Sequence, residues 1–117
     1  MKDIRSLTED ILLEIGGDPS YNGFCYLVEA MELIDENPSY KYQITDLYKA
    51  IAQKRNSTYT AVERAIRYAK EIILTKGDLE NVEKYFPSIQ GKFSNAKFLM
   101  VFHLKIKRIM EGESRAD

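Results

Sequence analysis

Residues 45–77 read TDLYKAIAQKRNSTYTAVERAIRYAKEIILTKG, and this stretch decides the fold. Its apolar residues recur three and four positions apart, which is typical of α-helices that bury one face. The polar residues 54–57 interrupt that spacing and predict a turn between two helices. Thr45 can cap the first helix, and Ser57 or Thr58 can cap the second, which we expect over about 58–76. Two helices with so short a connection predict a helix-turn-helix.

The second helix of this pair has separate core and solvent faces. Successive residues are turned by about 100° around a helix axis, so the sequence fixes which side chains share a face. The predicted core face holds Val62, Ile66, Ala69 and Ile73. The opposite face holds Thr60, Glu63, Arg64, Arg67 and Glu71. Gly77 tolerates positive φ and is predicted to end the helix there.

Helical spacing continues through the rest of the chain, and alternating runs rich in Val, Ile and Thr are missing. Ser6 and Glu9 have the spacing of a capping box and predict a first helix over about 7–15. A second is expected over about 21–35, with its acidic face toward water, and a fifth over about 79–85, behind Asp78. The last follows a loop through Gly91, is capped by Ser94 or Asn95 and reaches about Met110. The sequence therefore predicts an all-α, six-helix bundle-like domain, a single domain over 1–117 with an ordered core of about 7–110.

Composition excludes several classes of protein. The 117 residues are 44% hydrophobic and 30% charged, as in ordinary folded globules. We find no apolar run long enough to span a bilayer and no signal-peptide core, so we expect a cytoplasmic protein. Cys25 is the only cysteine and His103 the only histidine, so we expect no metal site. Because no nucleophile, base or phosphate-binding loop forms a catalytic group, we expect neither an enzyme nor a cofactor.

The charges are unevenly distributed along the chain, although the net charge is only -1. Residues 1–40 hold two basic and nine acidic residues, which gives -7. Residues 41–76 hold eight basic and three acidic residues, which gives +5. Residues 77–117 hold seven basic and six acidic residues, or +1. The positive charge is therefore concentrated in the predicted helix-turn-helix, where a nucleic-acid partner would bind.

The side chains of that unit suit double-stranded DNA. In a helix-turn-helix the N-terminal part of the second helix enters the major groove. Arg64 can donate two hydrogen bonds to guanine, and Glu63 can accept one from cytosine, so together they could read a C-G step. The side chains better placed for phosphates are Arg67, Lys54, Arg55 and Lys49. Spacing alone favours another interpretation, in which Glu63, Arg67 and Glu71 form ordinary surface ion pairs four residues apart.

The segment 62–67, Val-Glu-Arg-Ala-Ile-Arg, followed by Ala69, resembles the recognition helix in the effector domain of stage-zero sporulation protein A. The likeness extends over about residues 7–106, without a large gap. It includes Glu14-Ile15-Gly16, Gly23-Phe24-Cys25-Tyr26-Leu27, Glu29-Ala30, Leu47-Tyr48, Ile51-Ala52, Gly77, Phe86, Asn95 and Phe98. Because so many spacings match, the interpretation of residues 63–71 as surface ion pairs alone becomes weaker than the interpretation that they contact DNA.

The resemblance implies a domain that binds short DNA boxes containing a C-G step, often as tandem dimers, and contacts the RNA polymerase sigma factor. It implies base reading by Glu63 and Arg64, and a base or phosphate contact by Arg67. It places Asn56, Ser57, Thr58 and Thr60 near the DNA backbone and the fifth helix near the sigma factor.

The chain departs from the family pattern in three side chains. Tyr68 stands where a histidine is common, Ala61 where an arginine is common, and Phe93 where a proline precedes the last helix. The family's N-terminal receiver domain is also missing, so we expect either an orphan effector or a piece of a longer regulator. These departures and the net charge keep an alternative open. It is a protein-interaction module of the same fold that does not bind DNA and docks on a sigma factor or another regulator.

Overall fold

The computed structural model describes residues 3–86 and 93–115, and in these residues the chain is helical without strands. A short 3-10 helix, Pro38–Lys41, follows the second α-helix. The six α-helices are α1 (Ile4–Glu14), α2 (Asn22–Glu36), α3 (Ile44–Lys54), α4 (Tyr59–Lys76), α5 (Leu79–Tyr85) and α6 (Asn95–Arg115). The predicted all-α, six-helix architecture is thus confirmed. Within the described residues, no helix combines the length and apolarity needed to cross a membrane.

Two of the predicted helix starts are wrong. The first helix begins at Ile4 and not at Leu7, because Asp3 Oδ1 accepts from Ser6 N at 2.8 Å and caps it in place of Ser6. The third begins at Ile44 behind Gln43, which makes no side-chain cap, so Thr45 lies inside it. Burial of Ile4 against the core accounts for the earlier start of α1.

The other predicted N-terminal caps are confirmed. Thr58 Oγ1 accepts from Ala61 N at 3.1 Å and begins α4, and Asp78 begins α5. Ser94 Oγ accepts from Lys97 N at 3.1 Å ahead of α6. That helix continues to Arg115, past the predicted end at Met110. The predicted loop through Gly91 lies outside the described residues.

Helix α2 is central, and α4 lies directly against it. A Cβ atom on Gly23 of α2 would lie 2.5 Å from Ala65 O and 2.7 Å from Ala69 Cβ of α4. Only glycine fits this crossing, because such distances are well below van der Waals contact. Val62, Ile66 and Ile73 are buried as predicted, so the rotation of α4 about its axis agrees with the sequence.

A second close approach joins the ends of α1 and α4. Gly16 has a φ of +100°, the left-handed conformation that favours glycine. Gly77 has a φ of -72°, so the predicted use of positive φ there is wrong. Its need for glycine is steric, since an added Cβ would clash with both Ile15 O and Ile73 O.

Helix α6 covers the core with aromatic rings and is tied to α2 by a carboxylate. Phe86 stacks on Phe98, with ring centroids 4.6 Å apart. His103, which is only 4% exposed, places Nε2 3.3 Å from Asp35 Oδ1. Lys107 Nζ lies 3.0 Å from the same oxygen. These contacts hold α6 beside α2 and, through it, near α4.

We expect Gly23→Ala to destabilise the domain by about 1–3 kcal/mol, because the added methyl group must push α2 away from α4. Urea unfolding followed by circular dichroism measures the change. Gly112→Ala in α6 is the matched control, since nothing lies within 4 Å of its added Cβ. The control should stabilise by up to about 1 kcal/mol, because alanine is the better helix former. Equal stability of Gly23→Ala and wild type would contradict the crossing described above.

Candidate nucleic-acid interface

The turn between α3 and α4 is held by both backbone and side-chain bonds. Asn56 has a φ of 52°, a left-handed conformation that asparagine tolerates better than most residues. Ser57 N then donates to Ala52 O at 2.8 Å and closes the end of α3. The Tyr26 hydroxyl of α2 donates to Ser57 Oγ at 3.2 Å. The N-terminus of α4 is therefore fixed relative to both α3 and α2.

The first turns of α4 present the predicted polar face. Thr60, Arg64 and Arg67 are exposed, whereas Glu63 is half-buried, with its side chain 26% exposed. Within the part of the chain that the structure describes, Arg64 forms no ion pair. Its guanidinium is thus free to bind a ligand, while Glu63 turns toward the protein.

Glu63 and Arg67 interact with each other. Arg67 Nη1 lies 3.3 Å from Glu63 Oε2, one turn earlier on the same helix. The ion-pair interpretation of this spacing is therefore correct for the pair in this structure. With one partner half exposed, such a pair is worth only a few tenths of a kcal/mol, or about 0.3–0.5. It is weak enough to exchange for a contact with a ligand.

Asn95, the first residue of α6, also contacts Glu63. Its Nδ2 lies 3.0 Å from the Tyr48 hydroxyl oxygen of α3, and 3.4 Å from both Glu63 O and Glu63 Oε2. Both Glu63 oxygens can only accept, so the amide must present Nδ2 to them. Burial raises the pKa of Tyr48, which keeps its hydroxyl protonated. Local spacing indicates only a capping role for Asn95, because its contact with Glu63 joins residues 32 positions apart.

Lys70 on α4 is a second residue with a long-range contact that was not predicted. It is 8% exposed, and its Nζ donates to Phe93 O at 2.7 Å, just before α6 begins. Burial lowers the pKa of this ammonium group. Position 70 lies four residues after Ile66 and three before Ile73, so helical spacing places it beside the core face. A lysine there suggested exposure, because lysine is seldom buried without a partner.

A buried carboxylate forms ion pairs with the basic residues of the turn. Glu29 of α2 is 4% exposed, so the prediction that the acidic face of this helix meets water is wrong at this position. Arg5 Nη1 lies 3.2 Å from Glu29 Oε1, and Arg55 Nη1 lies 3.8 Å from it. Lys54 Nζ approaches Glu29 Oε2 at 3.3 Å without hydrogen-bond geometry. Two of the predicted phosphate-binding residues thus also neutralise an internal charge.

Glu32 of α2 extends this cluster toward the surface. Its Oε1 lies 3.0 Å from Arg5 Nη1 and 3.8 Å from Lys54 Nζ. The side chains of Lys54 and Arg55 remain 46% and 40% exposed, so they can contact phosphates while paired. Lys49 and Asn56 are exposed beside them. The turn and the start of α4 together form a polar, basic surface of the kind that binds nucleic acid.

A comparison with protein families agrees with this arrangement. The family model described as sporulation initiation factor Spo0A C terminal matches residues 8–106 of the 117. The chain belongs to this family. The Spo0A C-terminal domain is a DNA-binding domain that regulates transcription in sporulation. The resemblance carried by residues 62–67 is confirmed, and in this family member α3 and α4 form the helix-turn-helix.

We expect Glu29→Gln to destabilise the domain by about 2 kcal/mol, because it leaves three cations without their buried counter-charge. Glu32→Gln is the matched control on the same helix, and its more exposed carboxylate should cost less than about 1 kcal/mol. Urea unfolding measures both. If the two variants lose equal stability, Glu29 does not hold the turn.

Proposed function

We propose that this domain is a sequence-specific transcription regulator that acts in the cytoplasm. It reads a short double-stranded DNA box containing a C-G step. The exposure of Arg64 is the observation that carries the proposal. Its guanidinium, unpaired among the described residues, extends from the second turn of a helix whose N-terminus is fixed by a cap and a bonded turn. A rigid helix with a free arginine near its start suits major-groove recognition.

Arg64 donates two parallel hydrogen bonds to guanine O6 and N7 in this proposal. Glu63 accepts from the N4 amino group of the neighbouring cytosine. Arg67 contacts a base edge or a phosphate one turn later, after its ion pair with Glu63 is exchanged. This division explains why a glutamate stands on a DNA-facing surface, where it would otherwise repel phosphates.

Phosphate contacts position the domain without specifying sequence. Lys49, Thr60 and Asn56 are exposed and are proposed to contact the DNA backbone. Ser57 and Thr58 contribute from the turn, where they already hold Tyr26 and Ala61. Lys54 and Arg55 contribute only part of their charge to phosphate binding, because Glu29 neutralises the rest.

We propose two protein partners. We propose that two copies pair on tandem DNA boxes, and exposed Met100 and Leu104, one turn apart on α6, offer an apolar strip for a neighbour. We also propose that α5 contacts the RNA polymerase sigma factor. Leu79, which begins α5, is 66% exposed and supports such a contact.

Arg64→Ala should lower the affinity for a C-G-containing box by about five- to 150-fold, which corresponds to the 1–3 kcal/mol of one bidentate base contact. Affinity for a scrambled duplex should change much less. Fluorescence anisotropy with both duplexes measures the ratio. Lys49→Ala is the control: it should weaken binding to both duplexes equally and reduce the log-log salt slope by about 0.9.

Equal loss on both duplexes in Arg64→Ala would show that Arg64 contacts the backbone and reads no base. If wild type binds neither duplex at any salt concentration, the domain is instead an interaction module that docks on a sigma factor or another regulator. The pairing of Lys54, Arg55 and Arg67 with acidic residues of the same chain favours that second candidate. Binding to purified sigma factor would then test it.

A further inference from the structure

Helix α6 lies outside the helix-turn-helix, yet its first residue contacts a side chain proposed to read a base. Asn95 Nδ2 reaches Glu63 Oε2 at 3.4 Å from one side, and Arg67 Nη1 reaches the same oxygen at 3.3 Å. Nδ2 also lies 3.4 Å from Glu63 O, so it bridges the backbone and the carboxylate of one residue. Within the described residues, these contacts hold Oε2 and leave Oε1 without a hydrogen-bond donor.

We propose that Asn95 is a positioning residue for base recognition, and that it fixes Glu63 so that Oε1 meets the amino group of cytosine. This inference rests on the proposed function. Asn95 itself touches no base. It acts through Glu63, and the Tyr48 hydroxyl, 3.0 Å from Nδ2, orients its amide.

Holding the carboxylate affects selectivity more than affinity. A free glutamate samples several rotamers and can swing away from a mismatched base, which relieves the repulsion between its oxygen and an acceptor such as thymine O4. A fixed glutamate cannot relieve that repulsion, and it also loses less rotamer freedom when it binds cytosine. Positioning therefore increases both the favourable contact and the penalty for the wrong base.

The start of α6 is itself held in place. Lys70 Nζ donates to Phe93 O at 2.7 Å, two residues before Asn95, and Ser94 caps the helix. The lysine lies on α4, two turns after Glu63. Helix α4 thus binds the segment that supplies the proposed positioning residue of its own Glu63.

Asn95→Asp is the sharpest variant, because it replaces the amide donor with a carboxylate of the same shape. The new charge repels Glu63 but suits the first residue of a helix, where the backbone dipole favours anions, so the domain should remain folded. Anisotropy is measured with a C-G box and with a box in which only that cytosine is replaced by thymine. We expect the ratio of the two affinities to fall about three- to tenfold. Repulsion between the added charge and the phosphates weakens both complexes alike, so it does not account for a change in the ratio.

A double-mutant cycle separates positioning from a general structural role. In a Glu63→Ala background, Asn95→Asp should leave the affinity ratio unchanged, because no carboxylate remains to be positioned. Tyr48→Phe should lower the ratio in the same direction by a smaller factor. If Asn95→Asp fails to fold, Asn95→Ala replaces it, with a smaller expected fall because no repulsion is added.

Three results would contradict the inference. An unchanged ratio in Asn95→Asp, while wild type still discriminates and Arg64→Ala loses the box, overturns the positioning role and leaves the proposed function intact. An equal fall of the ratio in the Glu63→Ala background shows that Asn95 acts without Glu63. If wild type itself does not discriminate between the boxes, the proposed function fails and the inference fails with it.

Discussion

The crossing of α2 and α4 at Gly23 determines where the proposed reading face points. Because a single Cβ there would lie 2.5 Å from Ala65 O, the two backbones are as close as glycine allows. Once α4 is seated on α2, Val62 and Ile66 must be buried, and the opposite face must meet solvent. The outward position of Arg64 is therefore a consequence of packing on the other side of the helix.

The same helix α2 also fixes the turn ahead of α4. Its Glu29 lies beneath Lys54 and Arg55, and its Tyr26 bonds to Ser57, so the end of α3 and the start of α4 are attached to one rigid element. A buried carboxylate near the turn proposed to face DNA reduces the positive field that attracts phosphates. The arrangement weakens the attraction for phosphates but fixes the turn. This suits a protein that reads bases better than one that binds DNA nonspecifically.

Local sequence patterns predict the helices. The features that these patterns did not predict depend on contacts between residues far apart in the chain. The bounds of α5 and the Thr58 cap follow from neighbouring residues, so spacing and capping chemistry predicted them. The start of α1 was missed because Asp3 and Ser6 can both cap, and the choice depends on burying Ile4. Periodicity marked the reading face but could not show that Glu63 turns toward Asn95, since 32 residues separate the two in the chain.

The three side chains proposed to read DNA start from different states. Arg64 has no ion-pair partner among the described residues, so it meets DNA without breaking a contact within the protein. Glu63 and Arg67 are paired at 3.3 Å through Glu63 Oε2, so in the proposal Arg67 must exchange that pair for a contact with DNA, whereas Glu63 Oε1 is available without an exchange. Exchange of one charge contact for another gives little net affinity. In the proposal, Arg67 therefore adds little net affinity, whereas Arg64 contributes both affinity and discrimination between bases.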